Sequence, residues 1–172
     1  SLDNTYELCL SRKDIAGVRV FTLRHHRNLG KGAAIITAFD WCLKNTSEDW
    51  FSYTDVELPY GLDILSSKKD SLHCAIIGVR HGSTSSSILR SVSSKLFRLI
   101  VPYRLKNIKD TQCGIKICSR KLAESAIQKT VSRRWVFDIE LLLCAVGIGE
   151  IEQVPVKYRE GFVHGRGGVS VF

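Results

Sequence analysis

Two carboxylates, Asp55 and Glu57, follow an apolar and aromatic run at residues 50–54 (W-F-S-Y-T). If that run is a buried strand, both acids lie at its carboxyl end, and the two-residue period of a strand points them to one face. Oxygen ligands of this kind hold Mg²⁺ or Mn²⁺, and such an ion can in turn hold a diphosphate. Taken alone, the pattern favours a solvated turn after a strand, closed by residues 59–61 (P-Y-G).

A glycine-rich turn opens a helical pattern at residues 28–43 (N-L-G-K-G-A-A-I-I-T-A-F-D-W-C-L). The first N–H groups of a helix are unpaired, so a strand, a glycine turn and a helix start form an anion-binding arrangement, here with Gly30, Lys31 and Gly32. It is not a Walker A loop, since Gly32 stands where Ser or Thr should follow Gly-Lys. Glycines that merely permit a tight turn explain the local sequence about as well. The residues that recur at helical spacing are Ala34, Thr37, Ala38, Trp41 and Cys42.

Length and composition predict one domain with a real core. The chain has 172 residues, 44% of them hydrophobic, and a net charge of +8. Such a charge favours an anionic partner: a phosphate, a nucleotide, nucleic acid or an acidic membrane surface. The basic residues are spread along the chain, and no nucleic-acid-binding signature is present, so nucleic acid is not expected as a partner.

The six cysteines do not indicate a metal or disulfide framework, because none forms a C-x-x-C pair and most lie within apolar runs. A reducing, cytosol-facing compartment is therefore predicted. The longest apolar run, residues 139–149, contains Glu140 and is too short to span a bilayer. No signal peptide opens the chain.

Predicted strands and helices alternate along most of the chain, which indicates an α/β sheet flanked by helices. Pro155 places the last strand at or near a sheet edge. The basic amphipathic helix at residues 88–101 suits either an ordinary surface or an anionic membrane face. The predicted strands are residues 17–23, 50–54, 73–80, 115–117 and 150–159, and the predicted helices are residues 1–10, the helix after the glycine turn, 62–65, 88–101, 119–129 and 133–147.

Seven short segments, in this order, resemble the family 2 glycosyltransferases, and most closely the dolichyl- or polyprenyl-phosphate mannosyl- and glucosyltransferases. Each motif alone is weak, but seven in family order across nearly the whole chain are specific. They are N-L-G-K-G-A-A-I from Asn28, T-D-V-E-L from Thr54, G-V-R from Gly78, R-S-V-S-S from Arg90, D-T-Q-C-G-I-K from Asp110, F-D-I-E-L-L from Phe137 and V-P-V from Val154.

The resemblance implies a GT-A fold: a Rossmann-like, mixed but mostly parallel sheet flanked by helices. It implies a hexose moved from a UDP- or GDP-sugar to a polyprenyl or dolichyl phosphate, with inversion at the anomeric carbon. It also implies Mg²⁺ or Mn²⁺ as cofactor, and peripheral contact with the cytosolic face of an anionic membrane.

The resemblance also assigns site residues by position. Asp55 and Glu57 match the metal-binding acids, and Asp55, Gly30, Lys31 and Gly32 match donor diphosphate positions. Arg80, Arg90 and Ser94 match the groups that hold the acceptor phosphate. Gln112 matches a segment near the sugar and the acceptor, and Asp138 and Glu140 match an acidic pair whose role stays open between acid–base catalysis and structure.

Four departures from the family pattern bear on these expectations. Glu57 replaces the usual Asp, Pro59 replaces a residue that is often polar, and the tail G-R-G-G leaves Arg166 as the expected surviving cation. The family's first, nucleoside-binding strands have no counterpart here, so residues 1–172 are expected to be one N-terminally incomplete catalytic domain. Such a chain should expose a sheet edge that favours self-association, and should be inactive alone.

A non-catalytic reading explains the same departures. In that alternative, the chain is a GT-A-like module or fragment that binds anionic ligands or a partner chain. Metal-dependent hydrolysis of a nucleotide-sugar distinguishes the two hypotheses.

Overall fold

The structure is a computed structural model that describes residues 5–11, 14–15, 18–56, 60–67, 72–80, 103–134 and 136–158. Within these residues, helices and strands alternate as the sequence predicts. The helices are α1 (Thr5–Leu10), α2 (Lys31–Asn45), α3 (Arg120–Lys129) and α4 (Phe137–Val146), with 3-10 turns at Asp63–Ser66 and Tyr103–Leu105. The strands are β1 (Asp14–Ile15), β2 (Val18–Arg19), β3 (Trp50–Tyr53), β4 (His73–Arg80), β5 (Lys116–Ser119) and β6 (Glu150–Val156).

The main sheet has four strands in the order β3-β5-β4-β6. Strand β5 runs antiparallel to both β3 and β4, while β4 and β6 are parallel. The mixed sheet is confirmed, but the expectation of a mostly parallel sheet does not hold for the described strands, where two of the three pairings are antiparallel. The reason is β5, which lies between β3 and β4 and runs against both of them.

Both faces of the sheet are covered, which explains why β4 reads as an almost continuous apolar run. On one face, α2, α3 and α4 pack on the sheet around Phe39, Leu122 and Phe137. On the other face, Tyr60 and Ile64 join side chains from the strands in a second cluster. Side chains that alternate along β5 therefore enter an apolar layer on either side.

Within the described residues, the predicted helices form, with shifted ends and one different buried face. Helix α3 begins where Ser119 accepts a hydrogen bond from the backbone N–H of Leu122 at 3.2 Å, which confirms the predicted cap. Helix α2 buries Ala33, Ile35 and Phe39 rather than the predicted stripe, from which Ala34 is exposed. The larger side chains on the adjacent face contribute more apolar area, and that face turns to the core.

The amphipathic helix predicted at residues 88–101 lies outside the described residues. No helix in the described part of the chain is long and apolar enough to cross a membrane.

Candidate functional site

Asp55 lies just beyond the carboxyl end of β3, as predicted. Its backbone N–H donates to the carbonyl of Gly114 at 3.1 Å, which continues the β3–β5 pairing past the last strand residue, Tyr53. The position of Asp55 is therefore fixed by sheet hydrogen bonding rather than by a free loop. Glu57 lies outside the described residues, so the pairing of the two acids remains a prediction.

Lys31, the first residue of α2, brings two carboxylates together. Its ammonium lies 3.0 Å from Oδ1 of Asp55 and 3.5 Å from Oδ2 of Asp138, which is in the first turn of α4. Burial opposes the charged form of Lys31, but the two carboxylates outweigh it and raise the pKa of the lysine above its ordinary value. The glycine turn, the end of β3 and the start of α4 thus converge on one ammonium group.

The other carboxylate oxygen of Asp138, Oδ1, is buried and accepts two hydrogen bonds. Oδ1 accepts a hydrogen bond from the Tyr53 hydroxyl at 2.8 Å and another from the ammonium of Lys116 at 2.7 Å. Lys116 also donates to the carbonyl of Cys113 at 2.7 Å. The predicted Asp138 thus belongs to a network with Tyr53 and Lys116, which the sequence analysis did not single out.

Gly114 is required by the position of the Asp55 side chain. A Cβ at Gly114 would overlap the Oδ2 atom of Asp55, and Gly114 itself is fully enclosed. The glycine in D-T-Q-C-G therefore makes room for the carboxylate that faces Lys31.

The two glycines beside Lys31 permit close packing. Gly30 has φ +96°, a left-handed conformation that favours glycine, and a Cβ there would lie 2.5 Å from the carbonyl oxygen of Arg133. That carbonyl accepts the N–H of Ala33 at 3.1 Å, so one of the first N–H groups of α2 is already used within the protein. The tight-turn interpretation of these glycines accounts for this geometry, and anion binding by the remaining N–H groups stays a prediction.

We predict that Gly32→Ala destabilises the fold by about 1–3 kcal/mol, because a Cβ there would lie 2.6 Å from Cβ of the fully buried Phe137. Urea unfolding measures the change. Gly147→Ala is the matched control, since its nearest neighbour would lie at 3.4 Å, and it should change stability far less. Equal effects of the two substitutions would show that α2 and α4 do not pack this closely.

Glu140 holds the segment that precedes α4. Its carboxylate accepts hydrogen bonds from the backbone N–H groups of Val131 and Ser132 at 2.8 and 2.9 Å, and from the Ser132 hydroxyl at 2.8 Å. Burial of the carboxyl is outweighed by these bonds, which lower the pKa of Glu140. Of the two roles left open for Glu140, this geometry favours the structural one.

Gln112 lies in the segment that leads to Gly114 and carries an unused donor. Its backbone N–H donates to Oδ1 of Asp110 at 3.1 Å, but its side-chain Nε2 is buried with no hydrogen-bond partner among the described residues. An unsatisfied buried donor costs about 1–3 kcal/mol, so such a group is typically matched by a water or a ligand. The observation supports a contact between Gln112 and a ligand, which remains a prediction.

Arg80, at the end of β4, forms a two-point ion pair with Asp110. Nε lies 2.6 Å from Oδ2, and Nη2 lies 2.9 Å from Oδ1. These contacts use two of the five N–H donors of a guanidinium. Arg80 therefore anchors the start of the D-T-Q-C-G segment, and its predicted convergence with Arg90 and Ser94 cannot be compared, because both lie outside the described residues, as does Arg166.

The Arg80–Asp110 pair predicts an acid-dependent loss of stability. Burial opposes ionisation of Asp110, but hydrogen bonds from Arg80 outweigh it and lower its pKa below the ordinary 3.8. The stabilisation is therefore complete above pH 3.8 and is lost as pH falls through the lower folded-state value. Asp110→Asn should cost about 1 kcal/mol at pH 7 and progressively less below pH 3.8, as followed by urea unfolding.

The exposed Asp49 provides the control for this prediction. Asp49→Asn should show no such acid-dependent difference. A cost for Asp110→Asn that stays constant down to pH 2 would contradict the ion pair.

The residues near Lys31 fit a divalent metal held jointly with a ligand. Within the described ranges, no group of three His, Cys, Asp or Glu side chains could hold a metal by itself. Mg²⁺ is usually bound by one or two carboxylates together with substrate phosphates and water. Asp55, whose side chain is 37% exposed, supplies one hard oxygen ligand of this kind.

A cavity of about 820 Å³ lies at the opposite end of β3 from Asp55. Its lining includes Trp50, His73 and Arg120, and none of the clustered residues around Lys31. The cavity and the carboxylate cluster are therefore separate features of the fold.

Sequence comparison finds that the chain is similar to dolichyl-phosphate beta-glucosyltransferases. It is 28% identical over 172 residues to a dolichyl-phosphate beta-glucosyltransferase of Trichomonas vaginalis, which covers 93% of this chain and 52% of the relative. The Homo sapiens enzyme of that name is 32% identical over 139 residues, covering 74% of this chain and 42% of the relative. The chain thus spans about half the length of the curated relatives it matches, and no protein-family model matches it.

Solved structures confirm the GT-A fold predicted from the sequence motifs. Glucosyl-3-phosphoglycerate synthase from Mycobacterium tuberculosis, in complex with phosphoglyceric acid, superposes with a TM-score of 0.59 over 96% of this chain and 59% of that chain, at 18% identity. The same enzyme with Mn²⁺, UDP and glucosyl-3-phosphoglycerate gives a TM-score of 0.57. At this identity, the likeness establishes the fold alone.

Proposed function

We propose that this chain, which belongs to the family 2 glycosyltransferases, carries the catalytic centre of an enzyme that transfers glucose from UDP-glucose to dolichyl phosphate with inversion. The observation that carries the proposal is the convergence of Lys31, Asp55 and Asp138 at the end of β3. The relatives' names support glucose and dolichyl phosphate, and the UDP- and UDP-glucose-bound structural neighbours support the nucleotide.

In this proposal, the cluster binds the donor diphosphate. Lys31 is partly exposed and carries a positive charge, so its ammonium can move from Asp55 to a phosphate oxygen without leaving Asp138. When bound at Asp55, and at Glu57 as predicted, Mg²⁺ or Mn²⁺ supplies further positive charge beside the leaving diphosphate. Gly30 and Gly32 let the start of α2 pack closely against Arg133 and Phe137, which positions Lys31, and Gln112 offers its unused N–H to the sugar or the acceptor.

The transfer then needs little proton chemistry. A phosphate oxygen of the acceptor, already an anion near neutral pH, forms a bond to the anomeric carbon as the bond to the diphosphate oxygen breaks. The electron pair leaves with the UDP, whose charge Lys31 helps to stabilise. Attack from the opposite face turns an α-linked donor into a β-linked product, in keeping with the name of the relatives.

The acceptor side is proposed from Arg80, at the end of β4, together with three sequence positions outside the described residues. Arg80, Arg90, Ser94 and Arg166 would hold the lipid phosphate, with Arg80 already placed by Asp110. Because dolichyl phosphate is a membrane lipid, the proposal includes peripheral contact with an anionic, cytosol-facing membrane surface, which suits the net charge of +8.

A transfer assay tests the proposal. The complete gene product would be incubated with dolichyl phosphate, Mn²⁺ and either radiolabelled UDP-glucose or GDP-mannose, and label would be counted in the lipid extract. We expect metal-dependent label from UDP-glucose only. If the protein bound the donor but transferred no label, even when the assay was repeated in membranes, the result would instead support the non-catalytic alternative.

We predict that Arg90→Ala raises the KM for dolichyl phosphate at least about tenfold, with much less effect on the KM for UDP-glucose. The reason is loss of a charge-assisted hydrogen bond, typically about 1.5–3 kcal/mol, to the acceptor phosphate. Arg104→Ala, at an exposed arginine, is the control and should change neither constant. Equal losses toward both substrates would count against the acceptor role.

A further inference from the structure

We propose that Tyr53 and Lys116 are positioning residues that hold the Asp138 carboxylate beneath Lys31, so that Lys31 keeps its place when Asp55 turns to the donor. This inference rests on the proposed function of the same site. It assigns Asp138 a positioning role instead of acid–base catalysis.

The burial of this network is unusual for charged groups. The side chains of Lys116 and Asp138 are 1% and 3% exposed, and their charged atoms lie 2.7 Å apart. Replacing a buried ion pair by apolar residues of similar size is often neutral or stabilising. Stability alone therefore gives a weak reason for a lysine at the start of β5, where its neighbours Ile115 and Ile117 belong to the core.

The two carboxylate oxygens of Asp138 have different partners. Oδ1 faces inward and accepts from both Tyr53 and Lys116, while Oδ2 faces Lys31 at 3.5 Å. The inner contacts fix the rotation of the carboxylate and thereby aim the outer oxygen at Lys31. A carboxylate held in this way is poorly placed to remove a proton from a substrate.

The ring of Tyr53 lies near both ammonium groups. Its ring centre lies 5.7 Å from the nitrogen of Lys31 and 5.7 Å from that of Lys116. The Tyr53 hydroxyl donates to Oδ1 of Asp138 at 2.8 Å. Lys31 and Lys116 thus bind different oxygens of Asp138, with the Tyr53 ring close to both ammonium groups.

The two carboxylates that contact Lys31, Asp55 and Asp138, differ in exposure, and we assign them different roles. Asp55 is 37% exposed and accessible to a cation or a ligand, whereas Asp138 is enclosed. When Asp55 engages the donor, Asp138 remains as the fixed anchor of Lys31. The ammonium then needs only a small displacement to reach a phosphate.

The test compares Tyr53→Phe, Lys116→Met and Lys116→Arg with the control Lys121→Met, in the complete gene product. Lys121 is exposed and lies beside the cavity at the far end of the sheet. The first readout is the Kd for UDP-glucose by calorimetry, together with kcat. We expect Tyr53→Phe to weaken donor binding about fivefold, the effect of one hydrogen bond, Lys116→Met to weaken it more, and Lys116→Arg to recover part of the loss.

A second readout does not depend on the donor. Acylation of Lys31 by acetic anhydride, followed by mass spectrometry, reports how firmly Asp138 holds the ammonium. We expect Tyr53→Phe to raise this rate several-fold and Lys121→Met to leave it unchanged. Tyr53→Phe retains the ring and the Lys116–Asp138 pair, so it serves even where Lys116→Met fails to fold.

The outcomes separate the two proposals. Unchanged Lys31 acylation in Tyr53→Phe overturns the positioning role, as does a lower kcat at unchanged donor Kd. If the wild-type protein binds no UDP-glucose, the proposed function fails, while the acylation rates still decide whether Tyr53 and Lys116 position Lys31.

Discussion

Gly114→Ala should lower kcat/KM for glucosyl transfer about a hundredfold, the cost of misplacing a reacting group by about 1 Å. The new Cβ would overlap Oδ2 of Asp55, whose backbone is fixed by its hydrogen bond to the Gly114 carbonyl. The carboxylate can only rotate away, and this breaks its 3.0 Å contact with Lys31. Steady-state kinetics of lipid-linked product formation measure the effect.

Gly61→Ala provides a matched control for this substitution. A Cβ there would also meet a carboxylate, at 2.9 Å from Oδ2 of Asp63, but Asp63 is exposed and free to rotate. Its activity should remain close to that of the wild type. If Gly114→Ala were as active as Gly61→Ala, the position of Asp55 would not matter to the reaction.

The second large effect is on stability and concerns the buried ion pair between Lys116 and Asp138. Asp138→Asn should lower the free energy of unfolding by about 3–5 kcal/mol, since it leaves the buried charge of Lys116 without its partner. Lys116→Met should cost less, because Asp138 keeps its 3.5 Å contact with Lys31. The double substitution removes both charges, so it should cost clearly less than the sum of the two. Urea unfolding of all four proteins gives this coupling energy.

The exposed pair Lys44–Asp40 is the control for burial. Its charged atoms lie 2.7 Å apart, the same distance as in the buried pair, but the side chains are 69% and 46% exposed. The same double-mutant cycle, made with Lys44→Met and Asp40→Asn, should give a coupling energy of only about 0.3–0.5 kcal/mol. Additive costs at Lys116 and Asp138 would show that their pairing contributes no special stability.

Local sequence patterns predict the elements that position the site. An apolar run that stops at Asp55 predicts β3 and the place of the carboxylate, and the glycine turn predicts the start of α2 at Lys31. Ser119 predicts the start of α3, because a cap acts within one turn of the chain. Each of these features is determined by residues that are close together in the sequence, so a local pattern is enough to predict it.

Contacts between distant segments shift what local patterns predict. The helical pattern at residues 133–147 forms a helix only from Phe137. The preceding segment is held instead by Glu140 and by the bond from Ala33 to the Arg133 carbonyl. The strand predicted at residues 17–23 is also shorter than expected: it is limited to β2, which pairs with its neighbour in sequence, the two-residue β1.

Lys116 shows most clearly what could not be predicted. In I-K-I-C it alternates with isoleucines, a pattern that ordinarily places a lysine in solvent. Three helices cover that face of the sheet, and Asp138 reaches Lys116 from 22 residues away in sequence. Only the packing of α4 on β5 brings these charges together, so the pair follows from the fold and not from a local motif.

The most direct test is a crystal structure of the complete gene product with UDP and Mn²⁺, with anomalous diffraction at the manganese edge. We expect manganese bonded to Asp55, the diphosphate within hydrogen-bonding distance of Lys31, and Asp138 still bonded to Tyr53 and Lys116. UDP bound away from this cluster, with Lys31 still paired to Asp55, would contradict this expectation.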